Sequence, residues 1–360
     1  MNNLITRIKH IPQLFIKAKG CGLKKTPYDS KDFKTGIFGW FDYKPKHTRH
    51  VIETLSVKDQ GNKNTCQWNA TTSQKEVDEK CKLSVRSLVI KGKQMGLVSG
   101  NGFSNLRSGQ KVLQKWGILK EGIIEENIRE WNTYSDIKAI AGLDDEAAKH
   151  KISSYWSVSS RNDALKLLDD NRIITTGSKW YSGFNMSGGF SIPWIIYKIV
   201  GWYTGGHAFG MIGYDLNYNG RKVYICQNSF SKKWAENGKF YIDMGWLDKN
   251  NYGYFTNLDE IDKELGKFLI DYDGKNVKGN GDPAIYHIQH GKKKPYINWE
   301  SYLAWNGMAR GFNEVDKNLL DKVEKGDIMD IKKTDYWQFL KDVKEANRLS
   351  ALLEILNKEN

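Results

Sequence analysis

Cys66, His207, Asn228 and Gln60 are the residues around which chemistry could be built. A cysteine thiol at its ordinary pKa of about 8.5 is only a few per cent thiolate at pH 7. A helix N-terminus and an imidazole beside it favour the thiolate, and the imidazole takes the proton. An amide on the other imidazole nitrogen fixes the tautomer. A second amide can stabilise the oxyanion formed when the thiolate attacks a carbonyl. Such a set performs acyl transfer: the imidazole protonates the leaving amine, and water hydrolyses the thioester. Taken singly the residues have plainer readings. Cys66 is then a buried small hydrophobe, His207 a satisfied strand histidine, Gln60 and Asn228 turn residues, and Trp234 core.

Order and spacing join them. Gln60 stands six residues before Cys66 in V-K-D-Q-G-N-K-N-T-C-Q-W-N-A (57–70). His207 lies 141 residues after Cys66 in G-G-H-A-F-G-M-I-G-Y (205–214). That is inside the roughly 130–150 expected of one class of thiol enzymes. Asn228 and Trp234 lie in Q-N-S-F-S-K-K-W-A-E-N-G (227–238). Between them stand L-S-V-R-S-L-V (83–89), G-N-G-F (100–103) and W-G-I (116–118), with Glu121 following. Over about residues 51–247 the chain resembles the papain-like cysteine peptidases.

The resemblance implies an α+β fold of two lobes, one helical and carrying Cys66, one β-barrel-like and carrying His207 and Asn228, with an added C-terminal region. It implies a cysteine endopeptidase with Cys66 as nucleophile, His207 as general base and acid, Asn228 orienting His207, and Gln60 in the oxyanion hole. It assigns Asn64, Gly100, Asn101, Gly102 and Trp234 to the substrate cleft and its surroundings, Trp234 covering the His–Asn hydrogen bond. Polypeptide is the substrate it implies, with no metal or organic cofactor. The chain departs from the family pattern at several places. Gln67 follows Cys66, and Trp68 comes one residue late. Lys63 replaces a disulfide cysteine, Asn64 a cleft glycine, and Phe230, Ser231 and Ala235 replace W, G and G. Two other readings use the same residues: a silent binding or structural protein, such as a virion or assembly component, and a thiol acyltransferase or isopeptidase.

These side chains need elements to position them. Residues 66–80 read as a helix with Thr65 as N-cap. Residues 104–116 read as a second, ended by Gly117, and 161–170 as a third, capped by Ser160 or Asn162. After these come β-branched and aromatic runs at 172–180, 207–216, 222–230 and 238–244. N-Y-N-G at 217–220 reads as a hairpin turn. Helices dominate the first half and strands the second, an α+β order. The apolar stretch I-P-W-I-I-Y-K-I-V-G-W (192–202) reads either as core or as a segment overhanging the cleft.

The 360 residues allow two or three domains. The division expected is a basic arm at 1–45, a peptidase domain at 46–270 and an accessory region at 271–360. Aromatic residues make up 12% of the chain, which excludes global disorder. No apolar run approaches the roughly 18 residues of a membrane span. Of the formal charge of +13, residues 1–50 supply +8, from 11 Lys/Arg and 3 Asp. This arm suits an acidic partner or nucleic acid, and reads as a short latency segment or a targeting arm. The four cysteines form no C-x-x-C pair, which argues against a cysteine zinc site and fits a reducing, cytoplasm-like compartment or a virion. Arg7, Lys9 and Pro12 interrupt any signal-peptide core. Residues 271–283 (DYDGKNVKGNGDP) read as a linker, and lack the ligands of a calcium loop. Beyond them, a hairpin turning at 290–292 and a helix at 335–357 are expected.

Overall fold

The computed structural model describes residues 20–30, 32–99, 102–126, 138–185, 195–258, 260–306 and 311–329. The expected helix at 335–357 and the amphipathic start of the arm lie outside these residues. The chain divides into two compact units. One comprises the residues up to Thr35 together with Trp40–Glu260; the other comprises Gly36–Gly39 and the chain from Ile261 onward.

In the first unit three helices form early. They are α1 (Cys66–Glu79), α2 (Val85–Gln94) and α3 (Leu106–Lys115). Ser84 caps α2 by accepting from the Ser87 N–H, and at the start of α3 the Asn105 N–H donates to Ser108 Oγ at 3.4 Å. Gly117, with φ of 99°, lets the chain leave α3 as expected. The three helices bury Trp68, Leu88, Val89, Val112 and Leu113 in one core. The Trp68 ring lies against Gly92 of α2, where a Cβ would collide with it. Truncating a buried tryptophan of this kind costs about 3–5 kcal/mol. Two more helices follow: α4 (Asp144–Ala148) and α5 (Arg161–Asp169). Ser160, not Asn162, caps α5, because its side chain accepts from the Asp163 N–H.

The strands are β1 (Phe33–Lys34), β2 (Arg49–Val51), β3 (Ser154–Ser157), β4 (Ile174–Tyr181), β5 (Ile195–Ile196), β6 (Tyr203–Tyr218), β7 (Arg221–Gln227), β8 (Lys239–Asp243) and β9 (Asn251–Leu258), with α6 (Met244–Asn250) before the last. They pair in the order β1-β3-β9-β4-β6-β7-β8-β5, and β2 adds to β6. The β6–β7 turn is Asn219-Gly220, both at positive φ, the mirror-type turn that matches strand twist. Strand β6 is central: it pairs with β4 (Ser178 opposite His207) and with β7 (Gly210 opposite Gln227). That register carries His207 and Asn228 to the same end of the sheet. Helix α1 packs on β4 and β6 and brings Cys66 to that end.

The second unit holds α7 (Glu260–Tyr272), β10 (Asn276–Gly279), β11 (Ile285–Gln289), β12 (Lys292–Pro295), α8 (Trp299–Asn306), β13 (Asn313–Val315), α9 (Lys317–Lys322) and β14 (Glu324–Lys325). Its sheet runs β13-β10-β11-β12-β14 over a core of Val277, Ile288, Tyr302, Leu320 and Val323. His290 and Gly291 make the expected hairpin turn, both at positive φ. The stretch 271–283 is not a linker. It holds the end of α7, strand β10, and turns at Gly274 and Gly281. Its Gly/Asn/Asp content serves those turns.

Candidate active site

Cys66 is the first residue of α1. Thr65 occupies the N-cap position, but its side chain caps no backbone N–H; its hydroxyl accepts instead from Asn69 Nδ2 at 3.1 Å. The positive end of the helix therefore points at the sulfur. The nearby backbone amides of Ala208 and Gly22 favour its ionised form. Burial outweighs them: Cys66 is fully buried, and its pKa is raised.

His207 Nε2 and Asn228 Oδ1 are 2.7 Å apart. This bond makes Nε2 the protonated nitrogen and leaves Nδ1 as the acceptor. Among the described residues Nδ1 has no hydrogen-bond partner, the Cys66 thiol included. The ring lies between Trp180 and Phe230, each with its centroid 4.6 Å away. Burial among these rings pushes the His207 pKa down to about 4, against the opposing Asn228 bond. The resting pair is thus a neutral thiol and a neutral imidazole.

Gln60 is tied on both sides. Its Nε2 donates to the carbonyl oxygens of Lys63 at 2.7 Å and Gly20 at 2.9 Å. Its Oε1 accepts from Ser229 Oγ at 2.5 Å. The structure thus brings Gln60, Cys66, His207 and Asn228 to one end of β6 and α1.

An extended segment of the chain, residues 20–26, crosses this end. The Leu23 N–H donates to Gly206 O at 3.0 Å, Ser104 N–H to Gly22 O at 3.1 Å, and Lys24 N–H to Ser104 O at 2.8 Å. The bridges to Gly206 and Ser104 are both parallel. Thr26 N–H reaches Tyr252 O at 3.2 Å. The segment is therefore held by both the helical and the β side. The Leu23 side chain packs with Cys66, Ala70, Leu106, Ala208 and Phe255. Farther along, Arg107 grips Asp32 through Nε (2.9 Å) and Nη2 (2.5 Å), and both side chains are buried.

The expected cleft residues fare differently. Asn64 lies against Gly22 of the crossing segment. Gly102 is buried and turns the chain with φ of 80°, donating to Ser99 O at 2.8 Å. Gly100 and Asn101 lie outside the described residues. Trp234 is buried one ring farther back, in edge contact with Phe230 and Phe240, each at 5.5 Å. The rings packed on His207 are those of Phe230 and Trp180. Neither was legible in sequence as a partner of His207: Phe230 stands where the family carries W, and Trp180 reaches the site only through the β4–β6 pairing. The segment 20–26 had no local signal beyond its glycines. The stretch 192–202 is described from Ile195 onward; Ile196 is buried, and Ile199 and Trp202 are exposed.

Two clusters of potential metal donors lie elsewhere, His47–His50–Asp169 and Glu79–Cys81–His150, each with ligand atoms within 4.8 Å of one another. Their carboxylates are already engaged, Asp169 by Tyr43, Lys46 and Tyr214, and Glu79 by Lys75 and His150. No helix among the described residues is long and apolar enough to cross a membrane.

No protein-family profile matches the chain, and no curated protein matches it. Solved structures do. Xylellain, a cysteine protease from Xylella fastidiosa, is 20% identical with a TM-score of 0.54, over 68% of this chain and 97% of that one. A digestive procathepsin L2 proteinase from Tenebrio molitor larval midgut is 17% identical with a TM-score of 0.49, over 67% of this chain and 79% of the other. A recombinant stem bromelain precursor is 16% identical with a TM-score of 0.46, over 68% and 78%. The helical side carrying Cys66, the β side carrying His207 and Asn228, and the match along nearly the whole of xylellain make this chain a divergent representative of the α+β, two-lobed papain-like fold.

Proposed function

We propose that the protein is a cysteine endopeptidase whose cleft is closed by its own residues 20–26. One observation carries the reading: His207 pairs with Asn228 at 2.7 Å, and its neighbour Ala208 packs in one cluster with Cys66, the first residue of α1. In the open enzyme His207 Nδ1 takes the Cys66 proton, and the thiolate attacks a peptide carbonyl. The oxyanion is held by Gln60 Nε2 and the Cys66 backbone N–H. His207 then gives its proton to the leaving amine, and water, activated by the same ring, releases the acyl group.

The closed state opposes each step. Gly20 O occupies the Gln60 amide, and Leu23 fills the apolar space beside the sulfur. Burial holds thiol and imidazole neutral, because an ion pair without water is costly. Displacing the segment lets water in and favours thiolate–imidazolium.

The test is intact mass after treatment with an epoxysuccinyl inhibitor, on the full chain and on a Leu23→Asp variant. Cys66→Ala and an iodoacetamide control run beside them. One adduct on Cys66, faster in Leu23→Asp and faster than alkylation of the other thiols, is expected. Cys66 reacting only as an ordinary thiol in both forms would overturn the reading and leave a binding scaffold. A peptide panel with and without an added amine acceptor separates hydrolysis from acyl transfer.

A further inference from the structure

Helix α1 begins at Cys66 and ends at Glu79, and a second group of carboxylate, thiol and imidazole gathers at its far end. Lys80 closes the helix in the left-handed conformation, with φ of 54°, and Cys81 follows at once. His150 arrives from the turn after α4, its N–H donating to Ala147 O at 3.0 Å. A carboxylate oxygen of Glu79, the Cys81 sulfur and a ring nitrogen of His150 all lie within 4.8 Å of one another. The three residues belong to the first unit. E-K-C at 79–81 and a histidine 69 residues later match no zinc motif. The lack of a C-x-x-C pair argues against an all-cysteine site, but a mixed site needs one thiol.

Thiolate, imidazole and carboxylate are the donors zinc takes, whereas calcium and magnesium prefer oxygen alone. Tetrahedral zinc holds its ligand atoms about 3.3–3.7 Å apart. His150 Nδ1 is already 2.8 Å from Glu79 Oε2. The main movement required is therefore that of the sulfur, by roughly 1 Å. Glu79 and Cys81 are half-buried, which leaves an ion a path from solvent. The His150 ring is 6% exposed, and its Nε2 has no hydrogen-bond partner among the described residues, so one ring nitrogen is uncommitted. Against burial, the bonds from Lys75 and His150 hold the Glu79 carboxyl below its ordinary pKa. Burial and the Glu79 charge push the Cys81 thiol up, and a coordinated dication reverses this by expelling the proton. Lys75 sits on Glu79 Oε1 at 2.6 Å and also donates to Lys151 O at 3.1 Å. It can stay there as an outer partner of the carboxylate, because Glu79 and the Cys81 thiolate together cancel the charge of the ion.

The other donor cluster is less suited. Asp169 Oδ1 accepts from Tyr214, and Oδ2 accepts from Tyr43 and the Lys46 N–H, so an ion there would break bonds that hold the fold. At Glu79 the bond displaced is the one to His150, itself a ligand.

We propose that Glu79, Cys81 and His150 bind one zinc ion, with water as fourth ligand, clamping the end of α1 to the turn after α4. Binding releases the Cys81 proton to solvent, and the imidazole is held neutral with its proton on the nitrogen the metal does not take.

The test uses the full chain carrying Cys66→Ala, which removes the other thiol–imidazole pair. A small excess of zinc chloride is added, and native-state alkylation of each cysteine by iodoacetamide is followed by mass spectrometry. Zinc should slow labelling of Cys81 by about tenfold or more, the mark of at least about 90% occupancy, and EDTA should restore it. Cobalt(II) in place of zinc should give a near-ultraviolet thiolate-to-metal band. Cys81→Ser should abolish that band, and His150→Gln and Glu79→Gln should each weaken cobalt binding by at least about tenfold. Thermal melts without metal check that the variants fold; zinc should raise the melting temperature of the Cys66→Ala protein but not after Cys81→Ser is added. Unchanged labelling of Cys81 in zinc would overturn the proposal. So would a thiolate band that survives Cys81→Ser, which would put the metal on another cysteine. Loss of the band in Cys81→Ser, with full affinity kept in His150→Gln and Glu79→Gln, would reduce the site to a lone thiol and overturn it equally.

Discussion

The side-chain amide of Gln60 donates to the carbonyl oxygen of Gly20 at 2.9 Å, while Ser229 Oγ holds its other end at 2.5 Å. The donor that would stabilise an oxyanion is thus oriented from behind and engaged in front by the chain itself. Opening the cleft must break this bond, and the Ser229 bond keeps the amide aimed once it is broken.

Gln60→Ala, introduced into the Leu23→Asp background, should lower kcat by about 10²–10³ with little change in KM. Ser229→Ala should lower kcat less, because it loosens an orientation rather than removing the donor. Steady-state kinetics on a fluorogenic peptide checks both, and an unchanged kcat in Gln60→Ala would remove it from the oxyanion site.

Leu23 fills an apolar space beside Cys66. Leu23→Ala should weaken docking of the segment by about 2–3 kcal/mol. Hydrogen exchange of residues 20–26 should speed up accordingly, and Cys66 should label faster. Exchange unchanged from wild type would show that Leu23 does not hold the segment.

Arg107 and Asp32 form a buried two-pronged ion pair, with Arg107 Nη2 also donating to Pro27 O at 2.8 Å. Removing one partner strands the other charge, at a cost of about 3–5 kcal/mol. Asp32→Ala should therefore release residues 20–34 to limited proteolysis before the rest of the first unit. Replacing both residues with apolar ones should cost less than either single change.

The His207 pKa stands at about 4 in the folded chain against 6.5 ordinarily, since burial disfavours the charged ring. Between these values the unfolded chain carries a proton that the folded chain lacks. This ring's contribution is fully present above pH 6.5 and is lost as pH falls toward 4, by up to about 3 kcal/mol. Denaturant melts across that window should show a steep acid loss of stability that His207→Gln reduces. Equal pH slopes for the two proteins would mean that the ring is not held neutral.

Much of the site was legible before the fold. The order Gln60, Cys66, His207, Asn228 and its spacing survive any arrangement of the chain, because they are properties of the order of residues. Local physics was legible too. Ser160 marks a helix start, Gly117 a helix end, and Asn219-Gly220 a turn, since each acts on its own neighbours. Tertiary structure decided what local signals cannot carry. Trp180 reaches His207 only because β4 pairs with β6 in one register. Residues 20–26 are extended, polar in backbone and without a period; nothing in them names Gly206, Ser104 or Gln60 as partners. Those contacts exist because an extended strand satisfies its N–H and C=O groups wherever a complementary edge is offered. Here the edges offered to residues 20–26 lie on either side of Cys66. Residue order sets which side chains could do the chemistry; long-range backbone pairing lays residues 20–26 across them.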